Sequence, residues 1–182
     1  MTEAAQSEPT VDSRSIFQGQ IINVRVDTVR LPNGRLATRE VVEHSNSVCI
    51  VPVDEDRNVL LVRQYRKPTE CQLLEVPAGG IEGEEVSEET VLRELQEEVG
   101  YTADNLQHMS SFWLAPGWCD EFMHAYLATG LTPSILEADD DEFIDVVRVP
   151  LTGTLELIAS GEIQDVKSIA ALLLAMRLLG DN

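Results

Sequence analysis

Positive charge is scarce in this sequence. Its 182 residues include 13 Lys and Arg against 32 Asp and Glu, so the formal net charge at pH 7 is −19. Nucleic-acid backbones and anionic membrane surfaces bind through cationic patches, and this charge balance excludes both as expected partners. A small anionic substrate stays compatible with the composition, provided that a metal ion supplies positive charge locally.

Long apolar runs and paired cysteines are also missing. No apolar stretch approaches the ~18 residues of a membrane-spanning helix, and the N-terminus lacks the apolar region of a signal peptide. The three cysteines, Cys49, Cys71 and Cys119, are odd in number and are not spaced as a metal knuckle. Thiols of this kind are typical of a reducing compartment. We therefore expect a cytoplasmic protein.

The rest of the composition is that of a globular protein. Hydrophobic residues make up 43% of the chain and charged residues 25%, which are ordinary values for a folded domain. At 182 residues the chain is long enough for one domain with a sizeable core. Residues 1–14 are small, polar and charged. We predict a flexible tail there and a single domain over residues 15–182.

Apolar alternation predicts strands along much of the domain. Two of them, at 16–31 and 35–43, flank Asn33-Gly34, which is a strong hairpin signal. Further strands are predicted at 47–53, 59–64, 72–76, 104–114, 121–130 and 143–149. Helices are predicted at 151–160 and from Asp165 or Ser168 to Leu179. Strands on both sides of a central helix, with helices at the end, indicate an α/β fold with a mixed sheet.

The central helix, within residues 79–101, is dense in carboxylates. Ser87 is its predicted N-cap and Gly100 its left-handed C-cap. At about 100° per residue, one arc of this helix is apolar and the adjoining arc is acidic. The apolar arc contains Val91, Leu92, Leu95 and Val99, and the acidic arc contains Glu94, Glu97 and Glu98. A solvated acidic face is the plain explanation, but a hard divalent cation such as Mg²⁺ would also neutralise these oxygens.

The spacing of this segment is more specific than its charge. Gly79, Glu85, Arg93-Glu94-Leu95, Glu97-Glu98 and Gly100 together resemble the Nudix box of the Nudix hydrolase family. Tyr101 departs from the aliphatic residue usual at the last position, but it is apolar enough to pack.

Features outside the box resemble the ADP-ribose pyrophosphatase branch of that family. They are Leu74-Glu75-Val76-Pro77-Ala78-Gly79, Arg63-Gln64-Tyr65-Arg66, the acidic loop before Phe143, and Pro116, sixteen residues after Gly100. The resemblance implies a Nudix-type α/β/α sandwich with a mixed β-sheet and an N-terminal β-hairpin extension. It also implies a homodimer formed through residues 15–45, and hydrolysis of ADP-ribose to AMP and ribose 5-phosphate.

The resemblance also suggests ligands for Mg²⁺, with Mn²⁺ as the alternative cation. Glu94, Glu98 and the Ala78 carbonyl are the expected ligands, and Glu97 binds a second metal or bridges two. Glu85 either orients Arg93 or binds metal through water, and we expect Arg93 to hold the carboxylates in place.

Substrate and catalytic residues are expected outside the metal site as well. Arg66 is the expected phosphate clamp, because a guanidinium fork suits phosphate oxygens. The other expected substrate contacts are Arg39, Glu40, His44 and Pro116, the first three from either subunit. Carboxylates bound to metal are poor proton acceptors. The expected catalytic residues are therefore Glu142 as general base, with Asp141 as the alternative, together with Glu97 and Glu98. Tryptophans such as Trp113 and Trp118 are more often core residues than adenine-stacking ones, and the sequence does not decide between these roles.

Other functions remain open at this stage. The box would contact only the pyrophosphate, so ADP-glucose or GDP-mannose are alternative substrates. A non-catalytic nucleotide-binding Nudix module would lack box carboxylates, and this sequence has them all. A non-enzymatic acidic interaction protein is the third alternative.

Overall fold

The computed structural model describes residues 7–137 and 143–180. Within them the chain forms ten strands in three sheets and three α-helices. The strands are β1 Thr10–Gln18, β2 Ile22–Arg30, β3 Leu36–His44, β4 Ser47–Pro52, β5 Asn58–Arg66, β6 Cys71–Glu75, β7 Ala78–Gly80, β8 Tyr101–Trp113, β9 Phe122–Pro133 and β10 Asp145–Pro150. The helices are α1 Ser87–Glu94, α2 Thr154–Ser160 and α3 Val166–Leu179.

Two compact units divide the chain, where the sequence predicted one domain. The N-terminal unit comprises Met1–Ser45 and Trp113–Phe122, and the core unit comprises Asn46–Phe112 and Met123–Asn182. None of the helices in the described ranges is both long enough and apolar enough to cross a bilayer.

The N-terminal unit contains an antiparallel sheet in the order β1-β2-β3. The predicted hairpin is present as β2 and β3, and Gly34 has a φ of 85°, which favours glycine in the turn. The predicted tail over residues 1–14 is wrong for its last part, because β1 begins at Thr10. Every residue of β1 is exposed, so the strand has no buried apolar face that the sequence could have revealed.

The core unit is built around β4. This strand pairs in parallel with β9 and antiparallel with β7, in a sheet of order β7-β4-β9-β8. A second, antiparallel sheet has the order β10-β5-β6. All six residues of β4 are buried, as expected for a strand covered on both faces.

Helices cover both faces of β4. Val48 and Ile50 pack in one cluster with Val91 and Leu95 of the α1 segment. Cys49 faces the other way, since successive strand residues alternate, and its thiol lies among charges at the start of α3. The predicted α/β/α sandwich with a mixed sheet is therefore confirmed.

Candidate active site

Arg93 lies at the centre of the acidic segment. Its Nε donates to Glu85 Oε1 at 3.1 Å, and its Nη1 donates to Glu94 Oε1 at 2.7 Å and Glu97 Oε2 at 2.9 Å. Its Nη2 donates to the Gly80 carbonyl at 3.0 Å. One guanidinium thus joins the glycine turn to three carboxylates, which confirms the expectation that Arg93 holds the array in place.

Charge and hydrogen bonding keep this arrangement ionised. Burial opposes the charge of Arg93, but the hydrogen bonds that it donates to Glu85 and the negative charge of Glu94 raise its pKa above the usual value. The same bond from Arg93 holds the pKa of Glu85 below its usual range. Glu85 also accepts from Thr90 Oγ1 at 2.9 Å. Glu85 thus orients Arg93, which is one of its two expected roles, and its binding of metal through water stays a prediction.

Gly79 is required by the close approach of a carboxylate. A Cβ atom at this position would overlap the carboxylate of Glu94. Next to it, the Ala78 N–H donates to Glu98 Oε2 at 3.0 Å. The turn before the helix therefore touches both Glu94 and Glu98, whose residues are 8% and 6% exposed.

The acidic helix differs from the single α-helix that the sequence predicts. It begins at Ser87 with Val86, not Ser87, at the N-cap, and the Glu89 carboxylate accepts the Val86 N–H at 3.2 Å. After Glu94 it changes to a π-helical turn over Leu95–Val99, which Gly100 ends with a φ of 74°. A π turn holds an extra residue, so Glu97 and Glu98 depart from the arc expected for a regular α-helix.

A cavity of about 320 Å³ opens over these groups. Its lining consists of Ala78, Gly79, Gly80, Glu82, Arg93, Glu94 and Glu97. Glu98 is not part of the lining and lies buried against the Ala78 N–H.

The donor atoms at this cavity fit a hard divalent cation. We call Glu85, Arg93, Glu94, Glu97 and Glu98 the box cluster; at neutral pH its carboxylates exceed its single guanidinium by three negative charges. All its acidic donors are oxygens, the ligands that Mg²⁺ and Mn²⁺ take. Over residues 7–137 and 143–180, no three His, Cys, Asp or Glu side chains already converge as a metal site. Arg93 engages Glu94 and Glu97 instead. The ligand set Ala78, Glu94, Glu97 and Glu98 stays a prediction.

Arg66, the expected phosphate clamp, is bound to a carboxylate that sequence reasoning gave no role. Its Nε and Nη2 donate to the two oxygens of Glu75, each at 2.9 Å. Lys167 Nζ donates to the same Glu75 Oε2. Sequence reasoning missed Lys167. Its only signal is that cations are scarce in this chain, and nothing in the sequence places it beside a strand residue 92 positions earlier.

The remaining expected contacts lie in the N-terminal unit. Arg39, Glu40 and Pro116 line a cavity of about 230 Å³ together with Trp118. Arg39 forms a two-bond ion pair with Glu8, at 2.9 and 2.7 Å. These three residues are thus brought together, and their contact with substrate stays a prediction.

His44 lies at the end of β3 in the same unit. Its backbone N–H donates to Asp120 Oδ1 at 2.9 Å, and its Nδ1 is 2.6 Å from the Ser45 carbonyl. It is absent from the lining of that cavity. Glu142 and Asp141, the two candidates for the general base, lie outside the described residues.

The two tryptophans, for which the sequence left core and substrate-stacking roles open, are both exposed. Trp113 is 53% and Trp118 is 58% exposed. The Trp113 and Phe122 rings are tilted against each other with centroids 4.5 Å apart, and the backbone carbonyl of Trp118 accepts the Val42 N–H. Tryptophan is highly buried on average in folded proteins, but the loop that carries Trp118 lies along the edge of β3.

An arginine-clamped carboxylate array over a glycine turn, inside an α/β/α sandwich, defines a hydrolase site of the Nudix type. Comparison with known proteins agrees. The NUDIX domain family matches residues 43–172, and the nucleoside diphosphate sugar hydrolase N-terminal domain matches residues 8–42. The chain belongs to the NUDIX domain family, and it is a Nudix hydrolase.

Individual relatives cover most of the chain. An ADP-ribose pyrophosphatase of Bacillus subtilis (strain 168) is 41% identical over 169 residues, which are 91% of this chain and 90% of that protein. A methanol dehydrogenase activator of Bacillus methanolicus is 38% identical, covering 90% of both chains. A crystal structure of an ADP compounds hydrolase superposes with a TM-score of 0.89 at 26% identity, covering 100% of both chains.

Proposed function

We propose that this protein hydrolyses the pyrophosphate bond of ADP-ribose, releasing AMP and ribose 5-phosphate, with Mg²⁺ bound at the box cluster. The observation that carries the proposal is the box cluster itself, in which Arg93 holds Glu85, Glu94 and Glu97 over the turn at Gly80. The 41% identity to an ADP-ribose pyrophosphatase, over nine-tenths of both chains, supports the choice of substrate.

The protein's own residues prepare the site in three ways. Arg93 keeps neighbouring carboxylates together that would otherwise repel each other. Gly79 lets Glu94 approach the turn, and Glu98 is fixed by the Ala78 N–H. Bound Mg²⁺ would neutralise the pyrophosphate oxygens and acidify a water. In the net reaction a P–O bond to water forms, the bridging P–O bond breaks, and the proton of the water passes to a base.

Glu142 remains the proposed base, with Asp141 next. Arg93 stabilises the charged form of Glu85, and a bound metal would do the same for the carboxylates that ligate it, which makes such groups poor proton acceptors. A carboxylate from the acidic loop, outside the box cluster, would serve better if it comes within hydrogen-bond reach of the water. Glu97 and Glu98 act together with this base, as proposed ligands of the Mg²⁺ that would bind the reacting phosphate.

The proposal includes a cytoplasmic homodimer. β1 is exposed along its whole length, and it carries Ile16 and Phe17 at 51% and 54% exposure. Large apolar side chains exposed on a sheet are stabilised when another surface packs on them and removes them from water. A second copy of the chain supplies such a surface, and light scattering at micromolar concentration tests it: a monomer would contradict this part of the proposal.

The decisive experiment is identification of the products by chromatography. ADP-ribose, ADP-glucose and GDP-mannose are each incubated with the protein and Mg²⁺, with and without excess chelator. We expect AMP and ribose 5-phosphate from ADP-ribose, at a higher kcat/KM than for the other two. Preference for GDP-mannose or ADP-glucose would change the substrate while keeping the reaction, and activity that survives the chelator would overturn the metal-dependent mechanism.

A further inference from the structure

A second charged group lies in the core unit, on the face of β4 covered by α3. We call Arg66, Glu75, Asp165 and Lys167 the Glu75 cluster. Glu75 is 1% exposed, and it accepts two hydrogen bonds from Arg66 and one from Lys167. Although burial opposes its ionisation, the bonds from Arg66 and Lys167 hold the pKa of Glu75 below its usual value. Glu75 is therefore a buried anion held by two cations.

Asp165 completes this group from the start of α3. Its Oδ1 accepts from Lys167 Nζ at 2.9 Å and from the Ser168 backbone N–H at 3.0 Å, so it both pairs with Lys167 and caps the helix. Its Oδ2 is buried without a hydrogen-bond partner among the described residues. The four side chains together carry two positive and two negative charges at neutral pH.

The arrangement leaves one edge of Arg66 for an anion. The bonds to Glu75 use Nε and Nη2, and the edge that contains Nη1 points away from that carboxylate because the guanidinium is planar. The pKa of Arg66 is raised, first by its hydrogen bond to Glu75 and also by the charges of Glu98 and Asp165. Glu98 is a predicted metal ligand, so Arg66 is electrostatically coupled to the box cluster.

We propose that Lys167 is a positioning residue. It neutralises part of the negative charge of Glu75, so that Arg66 keeps its orientation and retains positive charge to attract the substrate's phosphates. Without Lys167, the cluster would contain one guanidinium and two carboxylates, and it would carry a net negative charge. This inference rests on the proposed hydrolysis of a nucleoside diphosphate sugar, because it assigns Arg66 to that substrate's phosphates.

A purely structural role for the start of α3 is the competing explanation. Ser168 Oγ accepts the Val76 N–H at 2.8 Å, just before the turn that carries Ala78. Loss of Lys167 would then loosen this turn and impair the enzyme without regard to charge. The two explanations differ in what they predict for Asp165.

Asp165→Asn separates charge from structure. Asp165 accepts the bonds from Lys167 and Ser168 through Oδ1, which the amide oxygen of Asn can replace, and Asn is as good an N-cap as Asp. The atom that changes is Oδ2, which has no partner in the described residues. The substitution therefore removes one negative charge beside Lys167 and retains the hydrogen bonds.

The test compares Asp165→Asn, Lys167→Met and Lys167→Arg in the full chain. We expect the KM for ADP-ribose to fall about threefold in Asp165→Asn and to rise about threefold or more in Lys167→Met, the effect of one charge near a Debye length away. Lys167→Arg should restore the wild-type KM, and kcat should change less than KM in all three. For Asp165→Asn and Lys167→Met, KM shifts in the same direction, or KM values within 1.5-fold of wild type, would overturn the inference.

Binding without turnover keeps this test separate from the proposed function. Calorimetric titration with inorganic pyrophosphate and Mg²⁺ should give Kd values in the same order, tightest for Asp165→Asn and weakest for Lys167→Met. If the wild type releases no AMP from ADP-ribose while this order holds, the proposed function fails and the inference stands. If Lys167→Met does not fold, Asp165→Asn decides: a Kd and KM no lower than wild type refute the inference.

Discussion

The two charged clusters of the core unit contain the same kinds of side chain in different proportions. The box cluster has four carboxylates for one guanidinium and opens to a cavity, whereas the Glu75 cluster balances two carboxylates with two cations around a carboxylate that is 1% exposed. Where carboxylates outnumber cations at an open site, a metal ion can supply the missing positive charge. A buried group whose positive and negative charges are equal in number needs no metal. We infer that the first cluster binds the cation and the second orients the Arg66 fork.

The largest effect is expected at neither cluster. The carboxylates of both clusters are paired with cations, so the comparison predicts that the general base lies elsewhere. Glu142→Gln should therefore lower kcat by about 10²- to 10⁴-fold. Binding of ADP-ribose with Mg²⁺, measured by calorimetry, should remain. A kcat within about threefold of wild type, or ~0.7 kcal/mol in barrier, would return the role to Glu97 or a neighbouring Asp.

Glu98→Gln tests the charge excess of the box cluster. Gln keeps the acceptor oxygen for the Ala78 N–H, so we expect the fold to persist and kcat to fall at least ~100-fold, as for loss of a metal-site residue. Glu84→Gln is the matched control, since Glu84 is exposed in the same segment. Near-normal turnover of Glu98→Gln would place the metal on other residues.

Gly79→Ala tests the geometry of that cluster without changing its charge. The added methyl overlaps the Glu94 carboxylate, and overpacking costs about 1–3 kcal/mol. If Glu94 moves away from the turn, kcat/KM should fall at least ~tenfold, which is ~1.4 kcal/mol. Gly153→Ala is the control, because nothing lies within 4 Å of its added Cβ. Equal activity of the two variants would show that the Gly79–Glu94 contact is dispensable.

The smallest effect is expected at the Glu75 cluster. Arg66→Lys keeps the charge but loses the two-bond fork, so the KM for ADP-ribose should rise about three- to tenfold, while the Mg²⁺ concentration for half-maximal activity stays unchanged. Arg63→Lys, on the same strand and paired with Glu162 at an exposed position, should leave KM as it is. If Arg66→Lys changed the Mg²⁺ concentration for half-maximal activity, we would conclude that the two clusters act as one functional group.

Local sequence pattern was sufficient for much of the site. The order and spacing of Gly79, Glu85, Arg93 and Gly100 predicted the turn, the acidic helix and its left-handed end, because these features depend on residues within one or two helical turns. The Asn33-Gly34 hairpin and the buried β4 were predictable for the same reason, since hairpin and strand signals are contained in a few neighbouring residues.

What the sequence by itself determined is therefore which residues are candidates for binding cation and phosphate, and on which elements most of them lie. The tertiary structure alone decided which charges meet. Lys167 reaches Glu75 across 92 residues, and β1 becomes a strand by pairing with β2 although every one of its side chains is exposed. The π turn at Leu95–Val99 and the exposure of Trp113 and Trp118 were likewise found only in the folded structure. Contacts between distant residues and the burial they create exist only once the chain is folded, so no local pattern records them.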